Sequence, residues 1–480
     1  MTTSFEAIRA GRRPDPRRFD VDGLGALLEL SLGLTAWKQY GANRWALRAN
    51  PSSGNLHPTE GYLVVPSLPG IGAGVYHYVS RDHALERRSE PVNAAQWNAA
   101  LSAGVVVGLS GIHWREAWKY GVRAFRYCQH DCGHAIAAVA YAAAALGWHV
   151  RVIDAWSDDE LACLLALDRD ADFADAEREA PEAAMWITPD AAAAPPEVRV
   201  LETRAAPGRA NRLSPEHVEW AGIDEVQLAV RRPAGPTDAR ASRAWPPRPA
   251  APAQAAAAAL IRQRRSAVDF DGTTTLSAAR WFDMLDALLP RDTVPPFDAW
   301  PWPARVHPVL LVHRVDGATP GLYALVRDRD ATDRLASAMR PEFAWLPVDN
   351  APAHLPLYLL AAGDARDAAR SICCHQDIAA DGCFAVAFLA EFAEPIREAP
   401  WFYRALFWET GLLGQALYLE AEAAGIRGTG IGCFFDEATH DLVGVSTMEW
   451  RSLYHFTVGG PVDDARLQTH PPYAHLARAR

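Results

Sequence analysis

The sequence predicts two similar halves of about two hundred residues each, fused head to tail and packed on one another. Motifs recur in order. His57-Pro58 followed by Gly74-Val-Tyr76 in the first half returns as His307-Pro308 followed by Gly321-Leu-Tyr323 in the second. Arg126, Asp131, Gly133 and Gly147 return with identical spacings as Arg404, Glu409, Gly411 and Gly425. Both of these sets open long predicted helices, Asp131 to Leu146 and Glu409 to Ala424, which are rich in small residues on every side. A helix that is apolar all round is buried, and its alanines let another helix approach closely. Between the halves the composition shifts. From about Pro189 to Ala259, prolines and glycines punctuate a stretch rich in Ala and Arg, which reads as a connection. The expected division is 1–205 for the N-terminal half, 206–255 for the linker and 256–480 for the C-terminal half.

Along the chain, Gly61-Tyr-Leu-Val-Val65 reads as a strand following a polar, turn-forming loop, Arg48 to Pro58. Within the linker, Leu213 to Trp220 is expected to open a short helix, with Ser214 as N-cap and Pro215 at the first helical position. Ala253 to Arg264 is a further helix. Another follows it, capped by Ser277, with Trp281, Phe282, Leu285, Leu288 and Leu289 on one face.

Charge and composition exclude several classes. With 47 basic and 58 acidic residues the formal charge is −11, which argues against nucleic-acid or anionic-membrane binding through bulk charge. A local basic pocket remains compatible with it. The longest apolar run, Ala135 to Trp148, falls short of the roughly 18 residues of a membrane span. The first twenty residues lack an apolar signal core. Seven cysteines are too few for a disulfide scaffold. A cytoplasmic globular protein is expected, without nucleic-acid or membrane partners.

Of the 47 basic residues only Lys38 and Lys119 are lysines. A lysine kept amid arginines can serve where a proton must be lost near neutral pH, or can have survived by chance. Lys119 lies in Trp114-Arg-Glu-Ala-Trp-Lys119-Tyr120-Gly121-Val-Arg123-Ala-Phe-Arg126-Tyr127. That run is either a solvated helix start or a source of a lowered phenol pKa or a partly deprotonated amine. The loop Pro51-Ser52-Ser53-Gly54-Asn55 is either a surface turn or a set of amides and hydroxyls facing a flat heteroaromatic ligand. Arg264-Arg265-Ser266 suits a phosphate monoester. Gly428-Thr-Gly430-Ile431-Gly432 follows a helix, unlike a dinucleotide fingerprint, and lets backbone approach a ligand. In Cys128-Gln-His130-Asp131-Cys132-Gly-His134 the two cysteines share a helical face while His130 and Asp131 point elsewhere, so no metal is expected. Cys373-Cys374 reads as packing or a free thiol pair.

Taken in this order, the residues resemble the nitroreductase superfamily of flavin enzymes. Within it they resemble the SagB/ThcOx type, which includes the thiazoline and oxazoline dehydrogenases of modified-peptide biosynthesis. The Pro51 to Pro58 loop and the Lys119 to Tyr127 run carry the likeness to that type. Arg264-Arg265-Ser266, the glycine run and the tail Val458 to Leu467 carry the likeness to the wider superfamily. It spans both halves, leaving out much of the linker and the first twenty or so residues. The resemblance implies an α+β fold, here two tandem nitroreductase-like domains forming an intramolecular pseudo-dimer with FMN at the interface. It implies that Arg264, Arg265, Ser266 and Arg466 hold the phosphate and that Pro51, Ser52, Ser53 and Asn55 line the ring. Gly430, Ile431 and Gly432 would face flavin N5, and Lys119 or Tyr120 would be the base. Only one such site looks complete. Gly11-Arg12-Arg13-Pro14 lacks the serine, Pro301-Trp-Pro-Ala-Arg305 replaces the Pro-Ser loop, and Arg397-Glu398 stands where Lys119-Tyr120 would align.

The implied activity is an FMN-dependent dehydrogenase or oxidase. It would move hydride from a small heterocyclic or peptide-borne substrate to the flavin, with oxygen as acceptor and a biosynthetic partner enzyme alongside. The second reading is an NAD(P)H-dependent nitroreductase or quinone-type reductase. The third is a flavin-free scaffold protein of a biosynthetic complex.

Overall fold

The computed structural model describes residues 2–206, 208–216, 218–235, 245–249 and 255–477. Each half is built on a seven-stranded antiparallel sheet. The first runs His149–Val152, Ala180–Thr188, Val105–Gly111, Thr59–Val65, Gly74–Val79, Ala84–Pro91 and Thr203–Ala205. The second runs Arg427–Ile431, Trp450–Gly459, Phe384–Glu391, Val306–Val312, Gly321–Leu325, Leu357–Ala362 and Leu346–Pro347. With the last strand of each of these rows left aside, the remaining six follow the same chain order in both sheets. The repeat in the sequence is therefore a repeat in topology. The central strands Thr59–Val65, Val105–Gly111, Val306–Val312 and Phe384–Glu391 are buried at every residue, which is why they read as continuous runs without alternation.

The predicted long helices are Ala124–Ala145 and Phe402–Ala423, each starting several residues earlier than expected. They cross at glycines. A Cβ on Gly133 would strike the backbone of Trp408, and one on Gly411 would lie 2.7 Å from the Cα of Gly133. Trp408 Nε1 donates to Gln129 Oε1 at 2.6 Å beside this crossing. One hydrophobic core runs through both halves, holding Ala135 to Leu146 together with Ala405 to Leu419.

Ser277 caps Ala278–Asp286 as expected, accepting from the Arg280 amide at 3.4 Å. The helix before it is Ala257–Gln263, shorter than expected; residues 253 and 254 lie outside the described residues. The linker helix is corrected. It forms at Ala221–Ala229, whereas the described residues of 213–220 form no helix and bend at Pro215. The Leu213 and Ser214 amides donate to the Glu177 carboxylate at 3.0 and 3.1 Å, which pins this stretch to the first half.

A third sheet crosses the molecule. The hairpin Leu34–Tyr40 and Asn43–Arg48 gains a third strand, Gln468–His470, from the far end of the chain. Trp37 Nε1 donates to the Pro472 carbonyl at 2.6 Å, and the Leu34 amide donates to the Tyr473 hydroxyl at 2.9 Å. Among the described residues, no helix is long and apolar enough to cross a membrane.

Candidate functional site

A cavity of about 940 Å³ lies where the two halves meet, within the usual range for a small-molecule or cofactor site. Pro51, Ser52, Ser53, Asn55 and Tyr120 line it from the first half, and Arg264, Arg265, Ser266, Gly430 and Gly432 from the second. Residues about four hundred positions apart thus converge on one space.

One end is cationic. Arg264 follows the last turn of Ala257–Gln263, is 3% exposed and stacks over the Tyr418 ring at 5.0 Å. It donates to the Arg48 carbonyl at 2.9 Å, while its Nε and Nη1 are buried without a partner. Arg265 bonds to Thr35 and to the carbonyls of Arg262 and Arg264. Burial and the adjacent Arg264 charge hold its pKa down to about 10. Lys38, from the hairpin, donates to Thr469 Oγ1 at 2.8 Å, and burial and then Arg265 lower its pKa. Arg427 also lines this end, paired with Asp463 at 2.6 Å. Crowded cations that depress one another, with guanidinium N–H groups left over, suit a multivalent anion such as a phosphate.

Arg466 does not share this end. Its side chain is 72% exposed, paired with Asp464 at 2.8 Å two residues away, and it does not line the cavity. The expectation that it stands with Arg264 and Arg265 is corrected: Arg427 lines this end and Arg466 does not. Ile431 turns its side chain into the core between the second sheet and its outer helices, so the expectation for it concerns its backbone alone.

The glycine run serves packing as well as access. A Cβ on Gly430 would overlap the Tyr454 hydroxyl, and one on Gly432 would lie 3.0 Å from the Tyr127 ring. The Gly430 amide already donates to Tyr418 Oη at 3.0 Å, and Ser266 Oγ lies 2.8 Å from that hydroxyl. Tyr418 therefore ties the arginine segment to the glycine run, and Gly430 has no spare N–H for a ligand.

The opposing loop is conformationally forced. Gly54, Asn55 and His57 all have positive φ, between 53° and 59°. The His57 amide donates to Ser52 Oγ at 2.7 Å, Asn55 Nδ2 to the Ala46 carbonyl at 2.8 Å, and the Ser53 amide to Asp131 Oδ1 at 3.0 Å. Strain over-determined in this way gathers at functional sites. A Cβ on Gly54 would overlap the Tyr120 hydroxyl and lie 3.0 Å from Lys119 Nζ, so only glycine fits opposite that pair.

Lys119 is exposed at the rim, its Nζ 5.1 Å from the Tyr120 ring centre, whereas Tyr120 forms part of the wall. A lowered phenol pKa is corrected. Burial and the Glu116 and Asp131 carboxyls push Tyr120 up to about 12, so it stays protonated at neutral pH. Arg123 and Arg126 do not offset this because both point to Asp436 of the second half, at 2.9 and 3.2 Å. Asp131 itself, buried in the cavity wall, is pushed up to about 7 by burial.

The histidines near Cys128 have other partners. His130 Nε2 lies 3.0 Å from the Leu453 carbonyl, and His134 bridges Gln415 and Tyr454 at 3.2 Å each. The cysteine expectation is corrected: Cys374 is disulfide-bonded to Cys433 on the cavity wall, leaving Cys373 buried and free. Sequence reasoning missed Tyr418, Tyr454, His134 and Arg427 as wall residues. Tyr418 and His134 carried a signal, being polar groups on helices buried on nearly every side.

Comparison with known proteins agrees with this geometry. The nitroreductase family model matches residues 323–460. Over 149 residues, 28% of this chain, it is 33% identical to the trifolitoxin-processing protein TfxB of Rhizobium leguminosarum bv. trifolii, covering 40% of that protein. Over 124 residues, 24% of this chain, it is 31% identical to a protein of Methanocaldococcus jannaschii named as a nitroreductase, covering 63% of it. The chain thus spans less than two thirds of either relative. A solved structure from Anabaena variabilis, also named as a nitroreductase, superposes with a TM-score of 0.68 at 19% identity, covering 96% of this chain and 92% of that one. That likeness extends the fold across both halves. The nitroreductase family model thus falls within the second half, and the nitroreductase fold extends over nearly the whole length of the chain.

Proposed function

We propose that this chain is an FMN-dependent oxidoreductase with one composite cofactor site, folded as an intramolecular pseudo-dimer of domains 1–205 and 256–480. The observation that carries the reading is Arg264, which lines the cavity opposite a strained loop from the other half and keeps two buried guanidinium nitrogens, Nε and Nη1, without a partner. Those donors fit the FMN phosphate, with Arg265, Ser266, Lys38 and Arg427 around it. Pro51, Ser52, Ser53 and Asn55 would line the ring, and Gly432 would face N5, Gly430 having spent its amide on Tyr418. FMN supplies hydride acceptance at N5; the protein supplies orientation and proton handling. The lost-twin expectation has a parallel in the ion pair between Arg13 and Asp298, which spends an arginine corresponding to Arg265.

For the substrate, we favour a heterocycle borne on a peptide, oxidised as in azoline dehydrogenation, with oxygen as acceptor and a partner enzyme that makes the heterocycle. The motifs shared with that type and the likeness to a toxin-processing protein support this. Tyr120, holding its proton, would donate a hydrogen bond to the substrate beside Lys119. A reductase fed by NAD(P)H is the second reading, favoured by the same protonated Tyr120, which suits proton delivery to an acceptor.

The visible spectrum and flavin content of the purified protein test the reading, with about one FMN per chain expected. Two would overturn the single site, and a colourless protein that FMN cannot reconstitute would overturn the cofactor. Stopped-flow mixing then separates the two activities. Flavin reduction by a synthetic thiazoline peptide supports the oxidase, and fast reduction by NADH or NADPH supports the reductase.

A further inference from the structure

We propose that Glu116 and Asp131 form a proton-exchange pair in the cavity wall, two facing carboxyls that hold one proton between them and take a second when the cofactor is reduced. The inference rests on the FMN reading and extends it to where the substrate's proton goes. Asp131 lines the cavity at 1% exposure, and its Oδ1 accepts from the amide and hydroxyl of Ser53 at 3.0 and 3.3 Å. Its Oδ2 and the Oε1 of fully buried Glu116 have no donor to meet them. The two carboxyls are close enough to hydrogen-bond as soon as one is protonated. Two buried carboxylates that near each other cannot both stay ionised, so a proton resides between them.

The other half supplies an internal comparison. Glu409 occupies the position that corresponds to Asp131 in the repeat. It too accepts a backbone N–H from the segment ahead of its sheet, that of Arg305 at 3.0 Å. Its remaining oxygen is neutralised by Arg327, a fully buried guanidinium. Where the cavity lies, the same carboxylate meets a second acid instead. A carboxylate kept only for folding is better served by the arrangement around Glu409.

The groups that face the pair are Lys119 and Tyr120 from the helix Trp114–Tyr120, Tyr127, Cys128 and Cys132 from the long helix that carries Asp131, and Tyr454 from the strand Trp450–Gly459. Of these only Lys119 is cationic, and it is exposed. During oxidation the substrate C–H bond breaks with its electron pair leaving as hydride for the cofactor. The proton on the neighbouring atom passes to Asp131, so the pair then carries two. Dioxygen takes up hydride and proton together as hydrogen peroxide, and the pair returns to one.

The test is an equilibrium redox titration of the FMN-loaded full chain at a series of pH values across neutrality. In the wild type, one stretch of that range should show an additional tenfold change in the reduction equilibrium per pH unit, about 30 mV for a two-electron couple. Each substitution leaves a single acid, so Glu116→Gln should shift the stretch of pH in which this slope appears, and Asp131→Asn, which takes the carboxyl off the cavity wall, should remove it. The same slope in the wild type and Asp131→Asn would overturn the proposal. Infrared difference titration of the unloaded chain separates the two readings. A protonated buried carboxyl whose titration each substitution shifts supports the pair even where FMN fails to bind; its absence from the wild type, or a titration that either substitution leaves unmoved, overturns the pair.

Discussion

Arg264→Met is expected to weaken FMN binding by two to four orders of magnitude without destabilising the unloaded chain. Two guanidinium N–H groups, Nε and Nη1, stand buried and unpartnered at the cavity. A charge-assisted hydrogen bond contributes roughly 1.5–3 kcal/mol, so losing both costs about 3–6 kcal/mol of affinity. At 1.4 kcal/mol for each factor of ten, that is about a hundred- to ten-thousand-fold in Kd. In the unloaded chain the sign reverses. Burial lowers the Arg264 pKa, which marks a charge held against its desolvation with one carbonyl bond and one ring stack in return. Methionine keeps most of the stem and removes that penalty. Fluorescence titration with FMN measures the affinity, and calorimetric Tm with and without FMN measures both stabilities. The rise in Tm that ligand linkage gives the wild type should vanish in the variant at the same FMN concentration. FMN binding as tight as in the wild type would refute the placement of the phosphate, and a large fall in the unloaded Tm would refute the account of Arg264 as an uncompensated charge.

Asp131→Asn should raise stability at pH 8 by roughly 2–4 kcal/mol in urea unfolding, with the gain fading at acid pH. The sign follows from an acid raised by burial from 3.8 to about 7: the folded state holds the proton longer, so the wild type loses stability as pH rises between those values. A variant no more stable than the wild type at pH 8 would contradict this. Thiol counting in denaturant tests the bond beside the cavity: of the seven cysteines, five should react before reduction and all seven after it.

Much of the molecule was legible in the chain because duplication wrote it twice. The spacing from Arg126 to Gly147, repeated from Arg404 to Gly425, located both buried helices, and Gly133 and Gly411 are the crossing itself. The arginine segment, the Pro51 loop and the glycine run were legible as motifs, and the cavity brings them together. What the sequence hid depends on distance in space. Arg466 carried the expected charge at the expected place, but a neighbouring Asp464 captures it, whereas Arg427 reaches the cavity from an edge strand. The direction of the Tyr120 shift could not be read from the arginines flanking it, because they point across the interface while two buried acids face the ring. Ser214 and Pro215 wrote a sound helix start, yet the helix forms only from Ala221, and the Leu213 and Ser214 amides are held by a carboxylate nearly forty residues earlier.

Both lysines of the chain stand at one cavity, Lys38 on its wall and Lys119 at its rim. An amine-reactive reagent therefore finds no other side chain to label, and apart from the terminal amine every acyl adduct marks this site. Intact-mass spectra of acylated protein become a gauge of occupancy, since a bound phosphate would shield Lys38 and a substrate at the mouth would shield Lys119. In most proteins such labelling is scattered over dozens of surface amines; here the arginine-rich surface is silent, and the reagent reports on the one place where chemistry is expected.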